Sequence, residues 1–125
     1  MTKSILIADD HDMIRKALCE LFDSQADFEV CGEAENGKEA VEMAQVFLPD
    51  LILLDLSMPV MNGIEAACEL KRLMPMVPII VFSEYGDVLS EDEARETGIS
   101  AVVSKNAKLP LLLDRARSVL YPMAA

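Results

Sequence analysis

Residues 51–55, Leu-Ile-Leu-Leu-Asp, decide the fold, because four consecutive apolar residues of strand length end in an acid. A run that is apolar at every position is typical of a parallel strand that is buried on both faces. Three other short apolar runs are followed in the same way by a polar residue, at Asp9, Ser83 and Lys105. Segments with apolar residues at helical spacing separate the runs. This alternation predicts an α/β fold, a doubly wound parallel sheet with helices on both faces.

The periodicity predicts five strands and five helices. The strands are expected at residues 4–8, 28–34, 51–54, 77–82 and 100–104, and the helices at 12–23, 38–48, 64–74, 91–97 and 109–121. Asp12 is expected to cap the first helix, and Ser90 with Glu93 resembles a capping box for the fourth. The fourth helix offers little apolar surface beyond Ala94, so we expect it to be the least stable element.

Length and charge restrict the class of protein. A chain of 125 residues is expected to form a single domain over residues 1–125, with its core at about 3–121 and no output domain. It contains 22 acidic and 11 basic residues, a net charge of −11. This balance disfavours a nucleic-acid surface, which needs clustered Lys and Arg, and favours basic or cationic partners.

We expect a cytoplasmic protein with no membrane segment. The amino terminus, Met-Thr-Lys-Ser, does not begin a secretory signal, and no apolar run approaches the roughly 20 residues of a membrane span. Three widely separated cysteines, Cys19, Cys31 and Cys68, are interpreted as reduced core residues.

Polar side chains follow four of the predicted strands. Because the carboxyl ends of parallel strands form one edge of the sheet, where ligands bind in open α/β folds, we expect these side chains to gather there. They are Asp9, Asp10, Asp55, Ser83 and Lys105. Three carboxylates, a hydroxyl and an ammonium suit a divalent cation together with a phosphoryl group.

Four motifs carry a resemblance to a known family. They are Ile-Ala-Asp-Asp-His at 7–11, Leu-Asp-Leu-Ser-Met-Pro-Val-Met-Asn-Gly at 54–63, Val-Phe-Ser at 81–83 and Val-Ser-Lys at 103–105. Together they resemble the CheY-like receiver domain of two-component response regulators, and most of all its NarL/LuxR type. The resemblance covers about residues 3–121 and implies the flavodoxin-like strand order 2-1-3-4-5, for which CheY itself is a known example.

The resemblance also implies a role for each site residue. Asp55 matches the aspartate that accepts the phosphoryl group, and Asp10 and Asp55 match direct ligands of Mg²⁺. The backbone carbonyl of Ser57 is the expected third protein ligand, while Asp9 is expected to act largely through water. Lys105 matches the lysine that pairs with the phosphoryl oxygens, and Ser83 matches the switch hydroxyl.

The expected function is therefore that of a phosphorylated switch. The domain would accept phosphate from a histidine kinase or a phosphotransfer protein and change conformation, with a possible homodimer through the face of helices 4 and 5. Beyond Mg²⁺-dependent self-phosphorylation and autodephosphorylation, we do not expect it to be an enzyme. An aspartate-based phosphatase is disfavoured because the D-x-D-x-[TV] motif is missing.

Four features of the sequence depart from the family pattern or leave alternatives open. Receivers usually carry Tyr or Phe where this chain has Val102, so a degenerate receiver that binds partners independently of phosphate is the alternative function. His11 is interpreted as a helix-start residue near the mouth of the site, rather than as a phosphohistidine or a metal ligand. Asn106 replaces the proline of many receivers, so no cis peptide is expected there. Leucines near 109–113 form either a partner surface or ordinary surface.

Overall fold

Five strands alternate with five helices in the computed structural model, which describes residues 2–83, 91–105 and 109–121. The strands are β1 (Lys3–Ala8), β2 (Phe28–Ala34), β3 (Leu51–Asp55), β4 (Ile79–Ser83) and β5 (Ala101–Ser104). The helices are α1 (Asp12–Asp23), α2 (Gly37–Phe47), α3 (Gly63–Leu73), α4 (Glu91–Glu96) and α5 (Leu109–Leu120). The expected β-α alternation is confirmed.

All strand pairs are parallel, and the order in the sheet is β2-β1-β3-β4-β5. The predicted order 2-1-3-4-5 is therefore confirmed. In the register, Ala8 pairs with Leu54 and Asp55 pairs with Phe82. The chain therefore leaves β1, β3 and β4 at one common edge of the sheet.

Two apolar clusters pack on opposite faces of this sheet, as a doubly wound fold requires. Strand residues alternate between them, so that Leu6 faces one cluster while its neighbours Ile5 and Ile7 face the other. Helices α2, α3 and α4 cover the first face with small residues and one leucine: Ala40, Ala44, Ala66, Leu70 and Ala94. Helices α1 and α5 cover the second with Leu18, Phe22, Leu112, Leu113 and Ala116. Each fully buried Leu or Phe contributes about 1.5–3 kcal/mol of transfer free energy.

Several element boundaries differ from the expectation for local reasons. His11, and not Asp12, is the N-cap of α1, because His11 has extended backbone angles while Asp12 is already helical. β4 begins at Ile79 rather than 77. Pro78 has no N–H for the ladder, although its carbonyl accepts a hydrogen bond of 3.1 Å from the N–H of Ile52.

The fourth helix is short, as expected, and its buried apolar residue is Ala94. The expected capping box begins at Ser90, which lies outside the described residues. Asn106, where no cis peptide is expected, also lies outside them. Cys19 and Cys31 are half-buried, whereas Cys68 is exposed on α3, so the prediction of a core position is wrong for Cys68. Across the described ranges, the longest helices have 12 residues, and none has the length and apolar character needed to cross a bilayer.

Candidate functional site

The end of β1 places two adjacent acids in different environments. Asp9 is 1% exposed, and its backbone N–H donates to the carbonyl of Ala34 at 3.0 Å, which fixes it against β2. Its Oδ1 accepts a hydrogen bond of 2.8 Å from the backbone N–H of His11. The side chain of Asp10 keeps 32% of its surface exposed. One carboxylate is therefore fixed inside the protein, and the other opens toward solvent.

Asp55 and Lys105 lie beside the buried acid. Nζ of Lys105 is 3.1 Å from Oδ2 of Asp9 and 3.1 Å from Oδ1 of Asp55, and the three side chains are 8%, 1% and 2% exposed. The backbone N–H of Lys105 donates to the carbonyl of Ser83 at 2.6 Å, which ties the end of β4 to the chain that leaves β5. The predicted gathering of Asp9, Asp10, Asp55 and Lys105 is present, and Ser83 is buried at the same edge.

This crowding changes the ionisation of the two central groups. Burial, followed by the negative charge of Asp9, raises the pKa of Asp55 to about 6, although Lys105 opposes the shift. Burial alone would lower the pKa of Lys105, but its contacts with Asp55 and Asp9 outweigh burial, so the pKa is raised. Lys105 is therefore held in its charged form, while the ionised form of Asp55 is less favourable than that of an exposed aspartate.

The donors present fit a small divalent cation. Single ligand atoms of Asp9, Asp10, His11 and Asp55 all lie within 4.8 Å of one another. Oδ2 of Asp55 is buried, and no donor among the described residues forms a hydrogen bond with it. A buried carboxylate oxygen is costly unless a cation or donor compensates it. Oxygen ligands at this separation suit Mg²⁺, which keeps several of its waters.

An open cleft of about 550 Å³ leads to this cluster from solvent. It is lined by Asp10, Leu56, Ser57, Met58, Pro59, Asn62 and Ile64. Ser57 is exposed in the loop after β3 and lies on the same cleft as Asp10. A phosphodonor could therefore approach the acids along the loop that follows Asp55.

The N-cap residue Asn62 and the first helical residue Gly63 fix the start of α3 against Asp55. Asn62 is the N-cap of α3, and it forms a reciprocal capping box with Glu65. Gly63 donates its N–H to the carbonyl of Leu56 at 2.9 Å. A Cβ at Gly63 would collide with the backbone carbonyl of Asp55, so only glycine fits this close approach.

Sequence reasoning missed Arg15, which is 7% exposed although it carries a charge. Its Nη1 donates to the backbone carbonyl of Asp9 at 2.7 Å. Nη2 contacts Asp12 at 2.6 Å, and Nε contacts Glu33 at 3.1 Å. One guanidinium thus joins the end of β1 to the first turn of α1 and to β2. In the sequence, Arg15 falls at helical spacing from Leu18 and Phe22, which face the core, but this spacing does not reveal its partner Glu33.

The remaining expectations concern the surface around the site. His11 begins α1 at the mouth of the site, as predicted, and its ring is 53% exposed. Val102 is 36% exposed on β5. In α5, Leu112 and Leu113 are buried whereas Leu109 and Leu111 are more than 40% exposed, so the leucines divide between core and surface.

Residues 5–117 match the sequence profile of the response regulator receiver domain. The chain belongs to this family. It is therefore the receiver domain of a two-component response regulator, a family that does not consist of conventional enzymes.

Individual relatives agree with this assignment. The chain is 32% identical to the response regulator protein VraR of Staphylococcus aureus, over 94% of this chain and 56% of VraR. It is 26% identical to a two-component response regulator of the LuxR family from Aurantimonas, with a TM-score of 0.89 over 96% of this chain and 86% of that one. It is 25% identical to a chain in the CheX-CheY-BeF3-Mg complex from Borrelia burgdorferi, with a TM-score of 0.85 over 94% and 88%.

These relatives support the LuxR-type resemblance of the receiver. The chain spans a little over half the length of VraR, so the comparison concerns the receiver part of that protein. The features that define the family's fold, a five-stranded parallel sheet in the order 2-1-3-4-5, are those described above.

Proposed function

We propose that this receiver accepts a phosphoryl group on Asp55 from the phosphohistidine of a histidine kinase or phosphotransfer protein. The observation that carries the proposal is the position of Asp55. Its buried carboxylate shares the ammonium of Lys105 with the buried acid Asp9, and it lies close to Asp10, which lines an open cleft. A fixed carboxylate next to stabilising cations is the arrangement that nucleophilic attack on phosphorus requires.

The transfer is a simple displacement at phosphorus. One Oδ atom of Asp55 attacks the phosphorus atom, and the bond from phosphorus to the donor's imidazole nitrogen breaks. The electron pair of that bond stays on the imidazole. The product on this chain is a mixed anhydride of the Asp55 carboxyl group and phosphate. Because Asp55 must attack as a carboxylate, the raised pKa of this group makes a cation beside it important.

Mg²⁺ is the proposed metal. Asp10 and Asp55 are proposed as its direct ligands with the backbone carbonyl of Ser57, while Asp9 acts largely through water. When bound, the ion would neutralise charge on the carboxylates and on the transferring group. Asp9 and Arg15 hold the loop that carries Asp10, since Arg15 fixes the carbonyl of Asp9. The solved CheY complex that resembles this chain contains Mg²⁺ and BeF3, which supports the assignment.

Lys105 and Ser83 are proposed to respond to the phosphoryl group. Nζ of Lys105 already contacts Asp55 and is positioned to pair with a phosphoryl oxygen on that residue. The N–H of Lys105 is bonded to the carbonyl of Ser83, so movement of either residue affects the other. Such a link would convert phosphorylation into a population shift at the ends of β4 and β5.

The output surface is proposed to be the face of α4, β5 and α5, through a homodimer or another protein partner. Val102 on β5 and Leu111 on α5 are exposed apolar residues of these elements. Phosphorylation is expected to change the packing around β5 and so the availability of this face. The acidic cluster argues against a degenerate receiver, which would have no need of three carboxylates and a buried lysine.

The experiment is exposure of the protein to acetyl phosphate, with and without Mg²⁺, followed by intact mass measurement. We expect one added phosphoryl group with Mg²⁺, and none with excess EDTA. Asp55→Asn should not be labelled, whereas Asp50→Asn, which removes an exposed acid of the same charge, should be labelled normally. Equal labelling of Asp55→Asn would overturn the proposal.

A further inference from the structure

His11 places an imidazole nitrogen among the carboxylates of the site. Its Nδ1 lies 3.2 Å from Oδ1 of Asp9 and 3.2 Å from Oδ1 of Asp10. The ring is 53% exposed and lies at the N-terminus of α1, where His11 is the cap residue. As N-cap, its side chain forms no hydrogen bond to the helix backbone. The ring is therefore directed toward the acids and not used in capping.

These separations match those between neighbouring ligands of one metal ion. With bonds of about 2.1 Å, adjacent donors of an octahedral ion are about 3 Å apart, and opposite donors about 4 Å apart. The distance of 3.2 Å from Nδ1 to the carboxylates of Asp9 and Asp10 is close to the separation of adjacent donors. When Asp55 is included, the four ligand atoms lie within 4.8 Å of one another. Small adjustments of exposed side chains would bring all four atoms to one centre.

The ring lies within hydrogen-bond distance of Asp9, but it is not the sole partner of that carboxylate. Oδ1 of Asp9 already accepts the backbone N–H of His11 at 2.8 Å, and Oδ2 contacts Nζ of Lys105 at 3.1 Å. In contrast, Asp55 as a residue is only 2% exposed. Its Oδ2 atom accepts no hydrogen bond from the described residues. The cluster thus has a buried oxygen that a cation would satisfy, next to an imidazole whose Nδ1 already contacts two of the acids.

We propose that His11 Nδ1 is an additional ligand when a divalent transition ion such as Ni²⁺ or Zn²⁺ occupies the site of Asp9, Asp10 and Asp55. Imidazole is a good ligand for these ions, whereas Mg²⁺ prefers oxygen and retains its waters. His11 therefore raises the preference of the receiver for transition ions over Mg²⁺. This inference rests on the proposed function, because it concerns the same metal site.

The direct test uses the fact that the chain contains a single histidine. In a long-range ¹H–¹⁵N NMR spectrum, each imidazole nitrogen of His11 is then observed without overlap. Zn²⁺ should move the Nδ1 resonance to the range of a metal-bound nitrogen and leave the proton on Nε2, while Mg²⁺ should not. The Cys68→Ser variant is used, because an exposed cysteine also binds Zn²⁺. An unchanged Nδ1 resonance at saturating Zn²⁺ would overturn the inference.

Calorimetric titration measures the consequence for affinity. The ratio of Ni²⁺ to Mg²⁺ affinity should fall about tenfold or more in His11→Asn and in His11→Phe, with Mg²⁺ affinity nearly unchanged. His11→Asn keeps a good N-cap residue, so a loss of helix stability does not explain its effect. Lys16→Ala removes a charge on the same helix but no proposed metal ligand, so it should leave the ratio of Ni²⁺ to Mg²⁺ affinity unchanged. An unaltered ratio in both His11 variants contradicts the inference.

The outcomes separate this inference from the proposed function. If the wild type takes up a phosphoryl group and binds Mg²⁺, but its Ni²⁺ to Mg²⁺ ratio does not depend on His11, the proposed function stands and the role of His11 is wrong. If the wild type binds neither ion and is not phosphorylated, the proposed function itself fails.

Discussion

Nζ of Lys105 lies 3.1 Å from Oδ1 of Asp55, and both side chains are buried at the carboxyl edge of the sheet. The same ammonium is 3.1 Å from Oδ2 of Asp9. Lys105 therefore compensates the buried acids in the absence of metal. A divalent cation would compete for the same carboxylates, so metal binding and the position of Lys105 are coupled.

Removal of Lys105 should therefore destabilise the metal-free protein. Lys105→Ala leaves two buried carboxylates without their ammonium, and we expect a loss of about 3 kcal/mol in the free energy of unfolding at pH 8. The loss should be smaller at pH 5, because Asp55 can then take up a proton. Urea denaturation at the two pH values measures the difference.

The same variant should bind Mg²⁺ at least as tightly as the wild type, because a competing cation has been removed. Phosphorylation should become slow or fail to alter the output surface. Lys16→Ala, at an exposed position on α1, is the control and should change neither property. Loss of Mg²⁺ affinity in Lys105→Ala would show that Lys105 does not have the role given to it here.

The raised pKa of Asp55 predicts how stability depends on pH. Its ordinary pKa is 3.8 and its pKa in the folded protein is about 6, so between these values the folded state binds more protons than the unfolded state. Without metal, this group makes the free energy of unfolding fall as the pH rises from about 4 through about 6, and the lost stability is not regained above that pH. Burial of the charge thus costs about 3 kcal/mol at neutral pH.

Asp55→Asn should remove this cost. In EDTA, we expect the variant to be more stable than the wild type by about 1–3 kcal/mol at pH 7.5, with the difference vanishing near pH 4. Thermal unfolding across this pH range is the measurement, and Glu42→Gln, at an exposed site on α2, is the control. A difference that is independent of pH would argue against a raised pKa for Asp55.

Arg15 should affect metal binding although it is not a metal ligand. Its Nη1 donates to the carbonyl of Asp9, while Nη2 and Nε of the same guanidinium bind Asp12 and Glu33. A lysine ammonium cannot form these three contacts with the same geometry. We expect Arg15→Lys to weaken Mg²⁺ binding about tenfold, as is usual when the support of a metal site is removed. Isothermal titration calorimetry gives the dissociation constant.

The matched control is Arg117→Lys. Arg117 also forms a two-pronged contact, with Asp27 at 2.9 and 3.1 Å, but it joins α5 to the turn before β2. This variant should lose stability without any change in Mg²⁺ affinity. If both arginine variants weaken Mg²⁺ binding to the same degree, a general loss of stability explains the result, and Arg15 has no specific role.

Gly63 should not tolerate a side chain. A Cβ there would collide with the carbonyl of Asp55, and the neighbouring backbone cannot move aside cheaply. We expect Gly63→Ala to cost about 2 kcal/mol of stability and to slow phosphorylation, because α3 is pushed away from the end of β3. Gly32→Ala is the comparison, since its Cβ would meet only the side chains of Leu6 and Phe47, at 3.2 Å. Equal effects of the two substitutions on phosphorylation would contradict this account.

The sheet and its polar edge could be predicted from sequence because each strand is a short apolar run that ends in a polar residue. Asp9, Asp55 and Ser83 fall directly at or after strand ends, so the parallel topology alone brings them to one edge. Boundaries were less predictable. Pro78 is apolar and fits the predicted run of β4, but its missing N–H moves the start of the strand to Ile79.

The buried guanidinium could not be predicted, because burial of a charge depends on partners that are distant in sequence. Glu33 contacts Arg15 across 18 residues, and no local pattern encodes that pair. The orientation of the His11 ring had the same limitation. Periodicity indicated where α1 begins, but only the folded β1–α1 connection directs Nδ1 toward Asp9 and Asp10.

Chemical trapping of the phosphorylated residue tests the central claim most directly. The protein is treated with acetyl phosphate and Mg²⁺, reduced with borohydride, which converts an aspartyl phosphate to homoserine, and digested for peptide mass analysis. We predict homoserine at position 55, only in the sample that received both phosphodonor and Mg²⁺. Homoserine at another aspartate and not at position 55, or uptake of a phosphoryl group with no homoserine at position 55, would contradict phosphorylation of Asp55.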